Sequence, residues 1–416
     1  MIASGGRIHT LDATRGFAVM GILLMNIIGF SMPEAAYINP KAWGGTGVAD
    51  MAAWAAAWIL FDGKMRGLFS LLFGASMLLI IDKTEMSGGD GRRLMLFRLF
   101  WLFVIGSAHF LLLWWGDILM IYALIGLIAL LFVGKEPIQL VKWSFLAFAV
   151  HFLIVISVVA SAYFYQHMAM SPGSPREMLE GFAQFVASLG EPGSQGIADE
   201  VALYRSGYAE IFAEARANFV HSEIMGLKYF GFDTLGFMLL GMAMLKSGFL
   251  TGGWAREQYR QTARHCFIIG LPPMIALAIW LALSDFDPLT TFGAFMAWSF
   301  PFRIPLTVGF AALILMLLGN AGQSAMIDRV AAAGRMALTN YLATTLVMTA
   351  IFYGWGLGLF GHVGRAATYM FIPPMWAAML LWSQPWLNRF RYGPVEWLWR
   401  SLQRGKCQPM RMKKPV

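Results

Sequence analysis

Charged side chains are scarce in this sequence. They make up 13% of its 416 residues, and 58% are apolar. Soluble domains carry about 25% charge. A soluble globular enzyme is excluded, and so is a disordered chain. Cysteine is nearly absent, with only Cys266 and Cys407. That excludes a disulfide scaffold and a cysteine metal centre. Short catalytic signatures are missing too. There is no HExxH, no GxxxxGK[ST], no GxGxxG opening a βαβ unit and no GxSxG. Zinc proteolysis, ATP-driven pumping by this chain alone and serine hydrolysis are therefore not expected. Acidic residues fall short of basic ones, leaving a net charge of +8. No Lys/Arg run interleaved with aromatics precedes the C-terminal tail, so nucleic acid is not an expected partner. The expected partner is the lipid bilayer, with basic residues marking cytoplasmic loops.

What is present is a series of apolar runs. The first covers 16–32. It does not read as a cleaved signal peptide, because Glu34 stands where a small residue should precede the cleavage site. Further runs lie at about 66–82, 94–113, 117–133, 143–163, 226–246, 265–284, 290–318, 336–356 and 367–383. Each approaches or exceeds the roughly 20 residues that cross a bilayer. The expected fold is an all-α polytopic membrane bundle of ten spans, forming a single domain over 1–416. The eighth run contains Pro301, Arg303 and Pro305 and should be broken there. The segment 51–61 is too short to span and reads as interfacial or re-entrant, with Trp54 and Trp58 on one face. Twenty-one of the 31 Lys and Arg residues fall in alternate connections that include the N-terminus and the tail. Both termini are therefore expected in the cytoplasm. An extracytoplasmic excursion at 164–225 should form two small helices, at 176–189 and 198–219. A basic amphipathic tail, 384–416, should lie on the cytoplasmic leaflet.

Ionisable groups inside spans are costly and normally face a partner or a cavity. His109 in the third span and Asp117 at the start of the fourth are joined by a short turn. A tight hairpin would set them side by side. A carboxylate on an imidazole fixes its tautomer, which is the logic of an oriented general base. Asp117 also suits a simple helix N-cap. Near the same side lie Glu34, Lys64, Arg66 and Asp233, candidates for binding an acceptor. Snorkelling competes for Lys64 and Arg66, and a Lys228 salt bridge competes for Asp233. Asn26, deep in the first span, suits a contact to a neighbouring helix or a cavity wall, with the helix contact favoured. On the cytoplasmic side, Asp12, Arg15, Arg335, Thr339, Asn340 and Arg400, with Glu396, could form a mouth for a phosphorylated ligand. Arg holds phosphate with a planar fork; the competing reading is the positive-inside rule alone. His151 reads as structural. The 28 methionines and 33 phenylalanines read as membrane packing. No metal site and no permanently bound cofactor are expected.

Six stretches together resemble the YeiB-like bacterial inner-membrane proteins. They are LDATRGFAVMGILLMN (11–26), KMRGLFSLLFGAS (64–76), HFLLLWWGDILMIYALIGL (109–127), GMAMLKSGF (241–249), GRMALTNY (334–341) and YGPVEWLWR (392–400). The resemblance implies a multi-pass protein of the bacterial inner membrane. It also implies a distant similarity to transmembrane acyltransferases, through the LDxxRGxA opening at Leu11, Asp12, Arg15, Gly16 and Ala18. Those enzymes move an acyl group from cytoplasmic acyl-CoA to an acceptor across the membrane, using a histidine in or just after the first span. This chain has Asn26 at the nearest place, and its next histidine is His109. The expected function is acyl transfer to an extracytoplasmic hydroxyl or amine, on a small molecule or glycan, with acyl-CoA as co-substrate. Small-solute transport is the alternative, and a non-catalytic scaffold is a third.

Overall fold

In hydrocarbon every backbone N–H and C=O must be paired, and the α-helix pairs them within one segment. The computed structural model describes residues 9–319 and 324–412. Among these residues the only strand-like pairing is an isolated bridge between Phe390 and Arg411. The last four residues of the expected basic tail, 413–416, lie outside the described residues.

The chain is an all-α bundle. Its first half contains α1 (His9–Ser31), α2 (Ala35–Ile38), α3 (Val48–Leu60), α4 (Lys64–Met86), α5 (Gly91–Leu112), α6 (Leu119–Ala129) and α7 (Pro137–Ala169), then α8 (Arg176–Ser188) and α9 (Gln195–Arg205). Its second half contains α10 (Tyr208–Lys246), α11 (Arg256–Leu283), α12 (Pro288–Gly293), α13 (Phe300–Leu318), α14 (Ala325–Arg335), α15 (Ala337–Phe352), α16 (Arg365–Thr368), α17 (Ile372–Arg389) and α18 (Pro394–Gln403). All ten expected runs fall on helical segments. Six helical stretches among the described residues are long and apolar enough to cross a membrane: α1, α3 with α4, α5, α7, α11 and α13. α6 and α15 are apolar but shorter. α10 and α17, on the sixth and tenth expected runs, fall in neither set. Lys228 and Asp233 interrupt α10; Gln384, Pro385 and Arg389 interrupt α17.

Close crossings depend on glycine. A Cβ on Gly16 would stand 2.1 Å from the Val330 carbonyl oxygen, and one on Gly334 would stand 1.9 Å from that of Asp12. α1 and α14 thus meet backbone to backbone. Gly74 and Gly241 make the same arrangement between α4 and α10. Small residues permit such packing where water exclusion does not drive helices together.

The expected break in the eighth run takes the form of a π-helical turn, Ala294–Trp298, between α12 and α13. Ser299 N–H reaches back five residues to the Ala294 carbonyl (3.1 Å). Pro301 has no N–H to offer. Arg303 donates to the Phe295 carbonyl and to Ser299 Oγ. In the excursion, α8 matches the expectation. The second expected helix divides at Ser206–Gly207, and its later half is the start of the 39-residue α10. In α3, Trp54 and Trp58 stack at 5.5 Å, and Phe286 packs edge-on against Trp54 at 5.0 Å.

Candidate active site

α5 ends where Leu113 and Trp114 N–H groups both bond the His109 carbonyl. The turn to α6 is short, so the end of α5 faces the start of α6. Gly106 lets them close: a Cβ there would lie 2.7 Å from Met120 N and 2.9 Å from Asp117 Oδ2. The hairpin sets His109 Nδ1 2.7 Å from Asp117 Oδ1. Asp117 Oδ2 accepts the Met120 N–H at 2.9 Å. One carboxylate therefore both holds the His109 ring and caps α6. The two side chains are 1% and 0% exposed.

On the other edge of the ring, His109 Nε2 lies 3.0 Å from Thr345 Oγ1 of α15. The Tyr341 ring lies 5.1 Å from the imidazole. Asp117 accepts through both oxygens, so Nδ1 carries the ring proton and Nε2 is left as the acceptor. The result is a carboxylate, an imidazole and a hydroxyl in a line. Thr345 opens onto a small cavity of about 10 Å³ between α1 and α15, lined also by Asn26, Phe30, Tyr341 and Thr344. Asn26 thus meets a cavity wall and not the favoured helix contact: among the described residues its amide makes no hydrogen bond.

The other acceptor-side candidates do not join this group. Arg66 pairs with buried Asp233, which settles that Asp233's partner is not Lys228. Arg66 also lies over the Phe230 ring at 4.7 Å. Lys64 is fully buried and donates to the Trp58 carbonyl at 2.7 Å, closing the last turn of α3. Burial removes snorkelling as the account of Lys64. Glu34 is exposed in the short connection between α1 and α2; its backbone N–H donates to Glu200 at 2.8 Å. Asp62 and Arg303 form a second buried pair at 3.5 Å, and Asp62 also accepts from Tyr37 at 3.1 Å. His151 lies against Phe300 at 4.3 Å.

At the other end of the bundle, Asp12 accepts from Arg15 at 3.0 Å, and Arg15 also donates to Ser76 at 2.8 Å. Asp12 and Arg335 line a cavity of about 270 Å³ between α1, α14 and α17, with His9, Asp328, Gln384 and Asn388. Arg400 lies over the Tyr392 ring, 4.8 Å away. Buried Arg98 bonds Gln403 at 2.9 Å, stacks on Trp399 at 3.9 Å and feels the charges of Arg400, Arg15 and Arg404. Thr339 and Asn340 are engaged in packing instead. Glu396 accepts from Thr339 N at 3.0 Å and from Thr339 Oγ1 at 2.5 Å, docking α18. Asn340 bonds Ala333, Ser383 and Trp382 at 3.0–3.2 Å. The structure therefore brings Asp12 and Arg335 to one cavity, and sets Arg400 and Arg15 within electrostatic reach of buried Arg98. Among the described residues, no three His, Cys, Asp or Glu side chains gather as a metal site.

Sequence reasoning missed Thr345, Arg98 and Arg404. Thr345 carried one signal, a hydroxyl midway along an apolar helix, but its bond to His109 joins residues 236 apart.

Comparison with known proteins gives a consistent picture. The chain is 34% identical to "Uncharacterized protein YeiB" of Escherichia coli K12 over 402 residues, covering 94% of this chain and 95% of that one. It is 29% identical to "Uncharacterized protein YxaH" of Bacillus subtilis 168, covering 99% of this chain and 97% of the relative. An uncharacterized 39.9 kDa protein of Bacillus acidopullulyticus is 23% identical over 414 residues, 99% of this chain and 98% of that one. The family described as "Protein of unknown function (DUF418)" matches residues 244–406, which include Thr345 and α18. Matched over 94% of its length by a relative 34% identical to it, the chain belongs to the YeiB-like, DUF418 family.

Proposed function

We propose that this protein is a multi-pass transmembrane acyltransferase of the bacterial inner membrane, with ten spans and both termini in the cytoplasm. It moves an acyl group from cytoplasmic acyl-CoA to a hydroxyl or amine on the far side, carried by a small molecule or glycan. The observation that carries this reading is the buried His109, with Asp117 2.7 Å from Nδ1 and a hydroxyl 3.0 Å from Nε2. This is the arrangement by which an imidazole takes a proton and is stabilised as it becomes charged. Two features at the Asp12 end support a donor site. Arg98 is buried there within electrostatic reach of Arg400, Arg15 and Arg404, and guanidinium groups suit phosphates. The 270 Å³ cavity beside Asp12 and Arg335 offers an adjoining polar recess. From Ala337, at the start of α15, to Thr345 is about 12 Å at 1.5 Å per residue, a length that an extended pantetheine arm can cover.

The test uses purified full-length protein in nanodiscs. Acetyl-CoA binding is followed by calorimetry and CoA release by thiol detection. Binding by wild type is expected, with release lowered about 10²–10⁴-fold in His109→Ala. Absence of binding up to millimolar acetyl-CoA would sink the reading.

Transport is the second reading. It is supported by the π-helical break beside Arg303 and by the buried pairs Arg66–Asp233 and Arg303–Asp62. Such features also line solute paths in transporters. Saturable uptake of a solute by proteoliposomes, with no acyl-CoA binding, would favour it.

A further inference from the structure

Both nitrogens of His109 are occupied by groups of the protein itself. Nδ1 meets Asp117 at 2.7 Å and Nε2 meets Thr345 Oγ1 at 3.0 Å. Since Nδ1 carries its proton toward the carboxylate, Nε2 accepts and the Thr345 hydroxyl donates. That hydroxyl has one hydrogen and two possible acceptors. The Tyr341 carbonyl, 3.3 Å away, is the longer contact. An acceptor molecule therefore cannot reach the base in this arrangement. The hydroxyl that His109 can activate is that of Thr345.

Thr345 Oγ1 also borders the cavity between α1 and α15. Across that cavity stands Asn26, whose amide has no hydrogen-bond partner among the described residues. A nucleophile with its base on one side and an uncommitted amide N–H across a small cavity has the parts needed for attack on a carbonyl.

We propose that Thr345 is a catalytic nucleophile, and that acyl transfer proceeds through an acyl-threonine ester. The proposal rests on the acyltransferase reading. In the first half-reaction Thr345 Oγ bonds the thioester carbonyl carbon while its proton passes to His109 Nε2. The C–S bond breaks, and the CoA sulfur leaves with that proton as the thiol. In the second, the acceptor hydroxyl or amine gives its proton to Nε2 and attacks the ester carbonyl. The C–O bond to Thr345 breaks, and the threonine oxygen recovers the proton. Asn26 supplies an amide N–H to the oxyanion in both. The volume beside Thr345, about 10 Å³, is that of one water. α1 and α15 must part there to admit even a short acyl chain, which favours the smallest acyl groups.

The experiment uses full-length protein in nanodiscs with acetyl-CoA and no acceptor, quenched in acid. Intact mass and peptide mapping read any covalent acetyl group, and thiol detection reads released CoA. Wild type and Thr345→Ser are expected to release a burst of CoA of about one per protein. The peptide holding residue 345 should carry a hydroxylamine-labile acetyl group. Thr345→Ala is expected to lose the burst by more than about 100-fold while still binding acetyl-CoA. His109-dependent release with no acetyl on Thr345 overturns the nucleophile and leaves the acyltransferase reading standing. So does an unchanged rate in Thr345→Ala. No binding and no release by wild type overturns both. Should Thr345→Ala fail to fold, wild-type mapping decides alone.

Discussion

Asp117 shows how one carboxylate serves two ends. Its Oδ2 accepts the Met120 N–H that opens α6, and its Oδ1 holds the His109 ring. The two roles separate by substitution. Asp117→Asn keeps an oxygen for the cap but offers an amide to the ring, selecting the wrong tautomer. Turnover should fall by up to about 10⁴-fold with thermal stability nearly unchanged. Asp117→Ala loses the cap as well, worth about 1 kcal/mol, and should lower both. Paired melting and turnover measurements distinguish these outcomes. Equal loss of stability in the two variants would mean that the ring contact is structural only. The pair was legible in the sequence because eight residues and a short turn confine it. Thr345 was not, because nothing local to α15 states which helix it faces.

At the scale of elements, the α5–α6 hairpin depends on Gly106. Gly106→Ala places a methyl against Met120 N and Asp117 Oδ2, so it should separate the two helices at the His109–Asp117 pair. The expected cost is about 1–3 kcal/mol by overpacking, with turnover lost more steeply than fold. Circular dichroism with the thiol assay checks this. A second element, α9, is tied to the Glu34 turn through the Glu34 N–H to Glu200 bond. Burial raises the Glu200 carboxyl from 4.5 to about 7; the Glu34 backbone hydrogen bond opposes this, and the Glu34 carboxylate adds to it. A carboxyl with a raised pKa in the folded state stabilises fully below its unfolded value and loses that contribution as pH rises through the folded one. Docking of α9 should therefore weaken as pH rises from about 4.5 to about 7. Hydrogen exchange over 195–205 reads it, and Glu200→Gln should make exchange protection independent of pH in that window. The hydrophobic runs and the Pro301–Pro305 signal made these helices and the break readable. The split at Ser206–Gly207 was less so, because the amphipathic pattern continues through it while the chain direction changes.

At the scale of the whole molecule, charge is sorted to two levels. Near the Glu34 end the ionic groups are internally paired, as Arg66–Asp233 and Arg303–Asp62. Removing one partner strands a buried charge, so Asp233→Ala should destabilise by about 3–5 kcal/mol, read by unfolding in detergent. At the Asp12 end, buried Arg98 lies within electrostatic reach of Arg400, Arg15 and Arg404. Arg400→Gln and Arg404→Gln should each weaken acyl-CoA binding by about 10-fold, since a hydrogen bond to a charged group is worth about 1.5–3 kcal/mol. Binding unaffected by both substitutions would place the donor elsewhere, in the cavity beside Arg335. Of these cations, Arg15 and Arg400 stood out in the sequence. Arg98 did not, since it lies within an apolar run and comes within reach of Arg400 only when α18 docks against α5 through Trp399 and Gln403.

By itself the sequence determined that this chain is a membrane-embedded helical bundle, because 58% apolar residues in long runs leave the backbone no other way to pair its hydrogen bonds. It determined the family through short stretches, and two glycines of those stretches, Gly16 and Gly334, are where α1 and α14 touch. It also determined the His109–Asp117 pair, whose partners are close in the chain. Tertiary structure alone decided which polar groups are used up in packing, as Lys64, Thr339 and Asn340 are, and which meet a cavity, as Asn26 and Thr345 do. The reason is geometric. A helix states its own periodicity in sequence, but which face meets which neighbour is settled only when distant helices pack.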